Sequence, residues 1–326
     1  MKIFLTGGTG FLGSHVAEKL IAEQHEVRAL VRASSKTDHL EALGVELVHA
    51  SLETGEGLAE ALEGCEGVVH CAGIVKARSR EEFFRVNEGG TRTLVEEVLA
   101  AAPALKRFVH ISSLEAQGPS PTAEEDTSRA EPHPVTHYGE SKLAAEKVVL
   151  EYADRLPVTI LRPTAIYGPR DIEMFAFFQS VSRGLMPLMG GGHLRATVVY
   201  GPDAAEAIVK TLLTDHPSGT THYLTDGADY TWGEMGEVIL ESLGKSWALR
   251  LALPVWLFRF VALFSEAWGK LTGKAVMLTR NKVNALEGHW LCSPASMEEL
   301  VGWKPRYPWK EGVPLTVEWY RKERWL

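Results

Sequence analysis

Thr6-Gly7-Gly8-Thr9-Gly10-Phe11-Leu12-Gly13 is the stretch that decides the fold. It lies between an apolar run, Ile3-Phe4-Leu5, that predicts a buried strand, and a segment, 11–23, that predicts a helix. Glycines at such a junction allow a tight turn, let a pyrophosphate approach the backbone, and let the helix pack closely on the strand. The start of the helix then turns unpaired N–H groups and the positive end of its dipole toward the phosphates. A lone glycine pattern is weak. Here it follows a strand, opens a helix and heads a βαβ unit, so the loop is expected to hold a dinucleotide through Gly7, Thr9, Gly10 and Gly13.

Outward from this loop the first half alternates strand and helix. Strands are predicted at 27–31, 45–49, 68–71, 108–111 and 158–161, and later helices at 88–101 and 139–156. Strands alternating with helices mean a parallel sheet covered on both faces. The expected fold is α/β: a Rossmann-type doubly wound parallel sheet with a smaller C-terminal α+β substrate lobe. Residues 1–165 form the dinucleotide-binding part, a segment near 195–225 returns to it, and 166–326 form mainly the lobe. All nine tryptophans lie beyond residue 230, which marks that lobe as aromatic-rich. Residues 119–134, acidic and proline-rich, read as an exposed loop.

Composition narrows the function. The chain of 326 residues carries 34 Lys+Arg against 42 Asp+Glu, a net charge of −8, with no long basic run, which argues against a nucleic-acid partner. Its three cysteines, Cys65, Cys71 and Cys292, form no CxxC pair, so a cytoplasmic location is expected. No leader-like segment precedes the first strand, and no apolar run is long enough for a spanning helix. His15, His25 and His39 are scattered, and no metal site is expected.

The end of the second strand bears on the choice of cofactor. A carboxylate there would hold a ribose 2′-hydroxyl, whereas Arg suits a 2′-phosphate. The residues are Val31-Arg32-Ala33-Ser34-Ser35-Lys36. Charge and donors on Arg32, Ser34 and Lys36 predict a preference for NADP(H) over NAD(H).

Tyr138-Gly139-Glu140-Ser141-Lys142 sets a Tyr and a Lys four apart, on one helix face. Ser112-Ser113 closes the fifth strand. A free phenol titrates near 10, too high for efficient proton exchange at neutrality, and a nearby ammonium lowers it. Ser113 can donate to a carbonyl oxygen that gains charge, and Lys142 can also hold a ribose. Such a set makes sense beside a hydride carrier, which the glycine loop supplies.

With these motifs in order, the chain resembles the extended short-chain dehydrogenase/reductase family, the NAD-dependent epimerases and dehydratases. The resemblance runs through the glycine loop, His70-Cys71-Ala72-Gly73, Asn87-Glu88-Gly89-Gly90-Thr91, Ser112-Ser113, Tyr138/Lys142 and Arg162-Pro163-Thr164-Ala165-Ile166-Tyr167-Gly168-Pro169. It implies Tyr138 as acid/base, Ser113 as substrate-orienting residue, Lys142 as ribose holder and Asn87 as a structural relay. It puts Phe11 and Leu12 at the pyrophosphate, Cys71, Ala72 and Gly73 near the ribose, Ser112 at the cofactor and Pro163 near the nicotinamide. Where the family often has Asp for the adenine, this chain has Ala50-Ser51-Leu52-Glu53, so Ser51 and Leu52 are the expected contacts. A homodimer through helices carrying 91–99 and 138–149 is likewise implied.

Sugar-nucleotide members of that family typically carry an Asn where this chain has Ala165. The form L-R-P-T-A-I-Y-G-P looks more like the 3β-hydroxysteroid dehydrogenase and dihydroflavonol reductase branch. The function read here is reversible reduction of a ketone on a hydrophobic small molecule. Nucleotide-sugar epimerase or dehydratase is the alternative, and an NADP-binding redox sensor the non-enzyme one. Met174, Phe175, Phe177, Phe178, Met186 and Met189, with Trp256, Phe258, Phe260 and Phe264, either line an apolar pocket or are lobe core. Residues 251–271 read as a packing or lid helix, with peripheral membrane contact as the competing reading. Glu115 reads as a solvated strand-end carboxylate or a group near the substrate carbonyl.

Overall fold

The computed structural model describes all residues except Pro121, Glu125, Leu253, 273–275, Met277 and Leu278, and all side chains of the described helices except those of Arg129 and Lys270. The chain opens with β1 (Lys2–Thr6), α1 (Phe11–Ala22), β2 (Glu26–Val31), α2 (Asp38–Ala42), β3 (Glu46–His49), α3 (Leu58–Leu62) and β4 (Gly67–His70). Next come α4 (Arg80–Phe83), a π-helical turn (Phe84–Gly89), α5 (Gly90–Ala101), β5 (Arg107–Ile111), α6 (Leu114–Gln117), α7 (His137–Leu150) and β6 (Val158–Pro163). The second half holds β7 (Ala165–Tyr167), α8 (Phe175–Ser182), β8 (Leu185–Leu188), β9 (Arg195–Tyr200), α9 (Gly201–Leu213), β10 (Thr220–Leu224) and β11 (Asp229–Thr231). It closes with α10 (Trp232–Ser242), β12 (Leu249–Ala252), α11 (Val255–Thr272), α12 (Arg280–Val283), α13 (Ala295–Val301) and α14 (Trp309–Lys322).

Seven strands form one parallel sheet in the order β10-β6-β5-β4-β1-β2-β3. Alternate residues of each strand face opposite sides. Ile3, Leu5, Val69, Val109 and Leu161 pack with Val16 and Leu20 of α1 and Ile208 and Leu212 of α9. Phe4, Val68, Phe108 and Ile160 pack on the other face with Leu94 and Val98 of α5 and Val148 and Val149 of α7. Both faces being covered, the strands are continuous apolar runs rather than alternating ones. The winding direction reverses between β1 and β4. That reversal opens a crevice beyond the carboxyl ends of the strands, where ligands of such sheets bind.

The smaller C-terminal region has its own core around Tyr167, Phe178, Met186, Ile239, Trp309 and Tyr320. Several elements differ from the sequence expectations. The helix predicted over 139–156 stops at Leu150, and turns carry the chain to β6. The segment 88–101 begins earlier, in the π-helical turn. Within 119–134, Ser120 and Thr127 are buried, because Ser120 N and Thr127 N donate to His289 O and Leu291 O of the C-terminal region. Phe177, Phe178 and Met186 belong to the lobe core and not to a pocket lining. Trp256, Phe260 and Phe264 face outward.

Candidate active site

The glycine loop is shaped by backbone crowding. A Cβ on Gly13 would lie 2.1 Å from Gly7 O, and Gly7 itself has φ +72° with the Cys71–Ala72 peptide pressed against it. Only glycine fits where α1 and β4 close on the turn. The N-terminus of α1 has no side-chain cap and no acidic residue in its first turn. Its N–H groups and dipole therefore stay available to an anion. A cavity of about 290 Å³ opens there, lined by Gly8, Thr9, Gly10, Phe11, Ser14 and Lys36 among others. These residues fit the pyrophosphate of a dinucleotide.

Four further lining residues, Asp38, His39, Leu40 and Arg170, were not read from the sequence as cofactor contacts. Arg170 comes from the far side of the chain and is held by Glu18, at 2.7 and 2.8 Å, and by His15. No local pattern announces such a contact. Arg32, Ser34 and Lys36 are exposed at the end of β2, while Ser35 closes a turn by accepting from Arg32 N. Ser51 accepts from Thr54 N at 3.2 Å, and Leu52 packs on Gly90 at the start of α5.

Ser113, Tyr138, Lys142 and Asn87 converge at the carboxyl end of the sheet. Ser113 caps α6 by accepting from Glu115 N, and its hydroxyl neighbours the Tyr138 phenol. Tyr138 sits in the first turn of α7, which Thr136 caps by accepting from Gly139 N at 3.0 Å. A Cβ on Gly139 would lie 2.2 Å from Glu115 O, so only glycine lets α7 start this close to α6. Asn87, turned inward by the π-helical turn, donates to Ile74 O and Ser141 Oγ and accepts from Ile74 N. It ties the segment after β4 to the helix carrying Tyr138 and Lys142. Pro163 ends β6, the neighbour of β5.

The electrostatics differ from the sequence expectation. Burial pushes the Tyr138 phenol above its ordinary value, the nearby Glu115 adds to the rise, and the neighbouring Ser113 hydroxyl opposes it. Lys142 turns its Nζ to Ile111 O at 2.6 Å. Burial pulls Lys142 down to about 8 against the opposing charge of Glu146. Burial pushes the Cys71 thiol up to about 12. Glu115 is half-buried and not free: it accepts from Thr136 at 2.5 Å and so fixes the residue that caps α7.

Two buried networks lie beneath the site. In the first, the Thr91 hydroxyl donates to Asn87 O at 2.6 Å, so it accepts from His70 Nε2, and His70 Nδ1 then accepts from Thr6. Burial, reinforced by Lys142, holds His70 neutral with its pKa down to about 3. This chain links the glycine strand to Asn87. In the second, Arg162 grips both oxygens of Glu146, at 2.8 and 2.6 Å, and reaches Tyr223 and Gln117. Ser112 donates to the same Glu146. The signal available for Glu146 was its spacing, four residues beyond Lys142 on the same helix face.

The family model for the NAD dependent epimerase/dehydratase family matches residues 3–223. Ceramide reductase of Caulobacter vibrioides is 33% identical, with 99% of this chain and 96% of the relative covered. Sterol demethylase protein B of Methylococcus capsulatus is 33% identical, covering 82% of this chain and 81% of the relative. The crystal structure of UDP-glucose 4-epimerase from Thermotoga maritima shares the fold, with a TM-score of 0.79 and 23% identity over 99% of this chain and 100% of that one. A glycine loop at the switch point, reductase relatives and a family match over two thirds of its length agree: the chain belongs to the NAD-dependent epimerase/dehydratase family and is an NAD(P)-dependent oxidoreductase of the extended short-chain type.

Proposed function

We propose that the protein is an NADP(H)-dependent reductase that interconverts a ketone and a secondary alcohol on a hydrophobic, lipid-derived molecule. The observation that carries the reading is the meeting of the Ser113 hydroxyl and the Tyr138 phenol at the head of α7, one helical turn from Lys142. A substrate carbonyl oxygen lies between the two hydroxyls. Ser113 donates a hydrogen bond to it as negative charge develops. Tyr138 then passes its phenolic proton to that oxygen. A bound nicotinamide supplies the hydride. Burial and Glu115 raise the phenol, so Tyr138 holds the proton that the reduction consumes. Lys142 and Asn87 hold the floor of the site, through Ile111 O, Ile74 and Ser141.

Two observations support the substrate class. The names of the ceramide and sterol relatives both denote lipids. Ala165, exposed in β7, offers no side-chain donor to a sugar nucleotide. Exposed Arg32, Ser34 and Lys36 support the phosphorylated cofactor. The test is loss of NADPH absorbance with a 3-oxo ceramide, a 3-oxo sterol and a UDP-sugar, for the native protein and for Tyr138→Phe. A lipid ketone should be turned over, and the variant should lose at least about a hundredfold while binding NADPH normally. Turnover of the UDP-sugar alone, or an active Tyr138→Phe, overturns the proposal.

A further inference from the structure

The helix α11 wears its amphipathic pattern inside out. A surface helix normally buries its apolar stripe and shows its charges. Here Trp256 is 67% exposed, Phe260 54%, Phe264 63%, Trp268 65% and Leu271 81%. Their spacing of four, four, four and three puts them on one continuous face. The opposite face meets the protein through buried Ala262 and Gly269 and through ion pairs, Arg259 with Glu287 and Glu266 with Arg280. Trp247, 68% exposed just before β12, extends the apolar surface. A stripe of this kind on a lone soluble protein marks an interaction surface.

Charge decides what covers it. Residues 245–282 hold seven Lys or Arg against a single Glu, a net +6, in a chain whose total is −8. Glu237, Glu287 and Glu173 pair with Arg250, Arg259 and Lys282, and subtracting them from the segment's sequence charge still leaves +3. Two copies meeting through this face would bring like charges together. An anionic bilayer offers both an apolar interior for the aromatic face and negative headgroups for the basic rim. Among the described residues no helix is long and apolar enough to cross a membrane, which leaves α11 lying in the interface.

We infer that α11 is a membrane-surface anchor that seats the protein on anionic lipid. The anchor is coupled to the site. Asn281 of α12 accepts from His137 N at 2.7 Å, and Asn284 donates to Val135 O, so the platform grips the segment that enters α7 beside Tyr138. A lipid ketone then reaches the site from the bilayer without crossing water. This goes beyond the catalytic reading, and it is measured without substrate, so either can fail alone.

The test is co-sedimentation of the full chain with vesicles of phosphatidylcholine alone or mixed with phosphatidylglycerol. Partition should be at least about tenfold higher on the mixed vesicles and should weaken as salt is raised. The variant W256S/F260S/F264S/W268S should lose at least about tenfold. Its four sites are exposed, and its fold is checked by circular dichroism and NADPH binding. The charge variant K245E/R250E should lose binding to the anionic vesicles while keeping the aromatic face. Equal partition onto neutral vesicles, unchanged binding of the quadruple variant, or no binding of the native chain overturns the inference. So does a dimer in sedimentation velocity that the quadruple variant abolishes while vesicles leave the native protein in solution.

Discussion

Replacing Arg162 with Met strands a buried carboxylate beside the site. The guanidinium and Glu146 side chains are 6% and 3% exposed, and they meet in a two-pronged pair. Met fills much of the volume but leaves Glu146 with the Ser112 hydroxyl as its remaining donor. Breaking one side of a buried pair costs about 3–5 kcal/mol, because the other charge stays behind uncompensated. At about 2.1 cal/mol/K per residue, 326 residues convert this into a melting-temperature loss of about 4–7 °C.

The loss should depend on pH, and the sign follows from the stranded group. Without Arg162, Glu146 in the folded state has a pKa above that of the unfolded chain. The folded state then holds the extra proton between those two values, and stability falls as pH rises through that window, at up to about 1.4 kcal/mol per unit. Arg162→Met should therefore be closer to the native protein at pH 5 than at pH 8. The double variant E146Q/R162M removes the charge and should recover at least about 1.5 kcal/mol of the loss at pH 8. Urea unfolding followed by circular dichroism at both pH values measures all three proteins. A loss below about 1 kcal/mol for Arg162→Met, or no recovery in the double variant, refutes the reasoning.

Ketone reduction should fall above about pH 8, as Lys142 loses its proton at the value to which burial pulls it; a pH profile of kcat/KM flat to pH 10 would contradict that role. Arg32→Asp should lower NADPH affinity by about tenfold or more and narrow the gap to NADH, read by calorimetry; an unchanged ratio removes Arg32 from cofactor choice. His70 and His110 are both buried and held neutral, so their folded pKa values lie below 6.5 and the unfolded chain binds more protons under acid. Stability should thus fall as pH drops below 6.5, by up to about 2.7 kcal/mol per unit for the two together. Neither ring nitrogen of His110 has a partner, so His110→Leu should reduce that slope by about half and be more stable than the native protein at pH 5.

How legible each part was follows from the range over which it is determined. The strands appeared as apolar runs because both faces of the parallel sheet are covered, and β1, β2, β4, β5 and β6 lie within a few residues of the expected positions. Tyr138 and Lys142 were visible because a helix turn fixes their relation locally. The sign of the Tyr138 shift was not, since it depends first on burial and then on Glu115, both set by how α6 and α7 pack. The networks of His70 and Arg162 were hidden in plain motifs: they join residues up to 64 and 61 positions apart. The aromatic face of α11 was misassigned in part to a pocket, because composition gives periodicity but not the side on which the body lies.

Cofactor binding and substrate choice therefore leave different traces in a chain of this kind. Where a backbone must approach another backbone, one residue type alone satisfies the contact. Gly13 against Gly7 O and Gly139 against Glu115 O, at 2.1 and 2.2 Å for a hypothetical Cβ, admit nothing larger, so the requirement is written directly into the sequence. Where a surface must be apolar, many residues serve, and the requirement is written only into the sum of exposed area and charge. The basic, aromatic segment 245–282 is such a sum: no single residue in it is diagnostic, yet its charge opposes that of the rest of the chain and its stripe faces away from the core. A reading of substrate source has to rest on that sum, just as the chemistry rests on a few crowded glycines and three side chains.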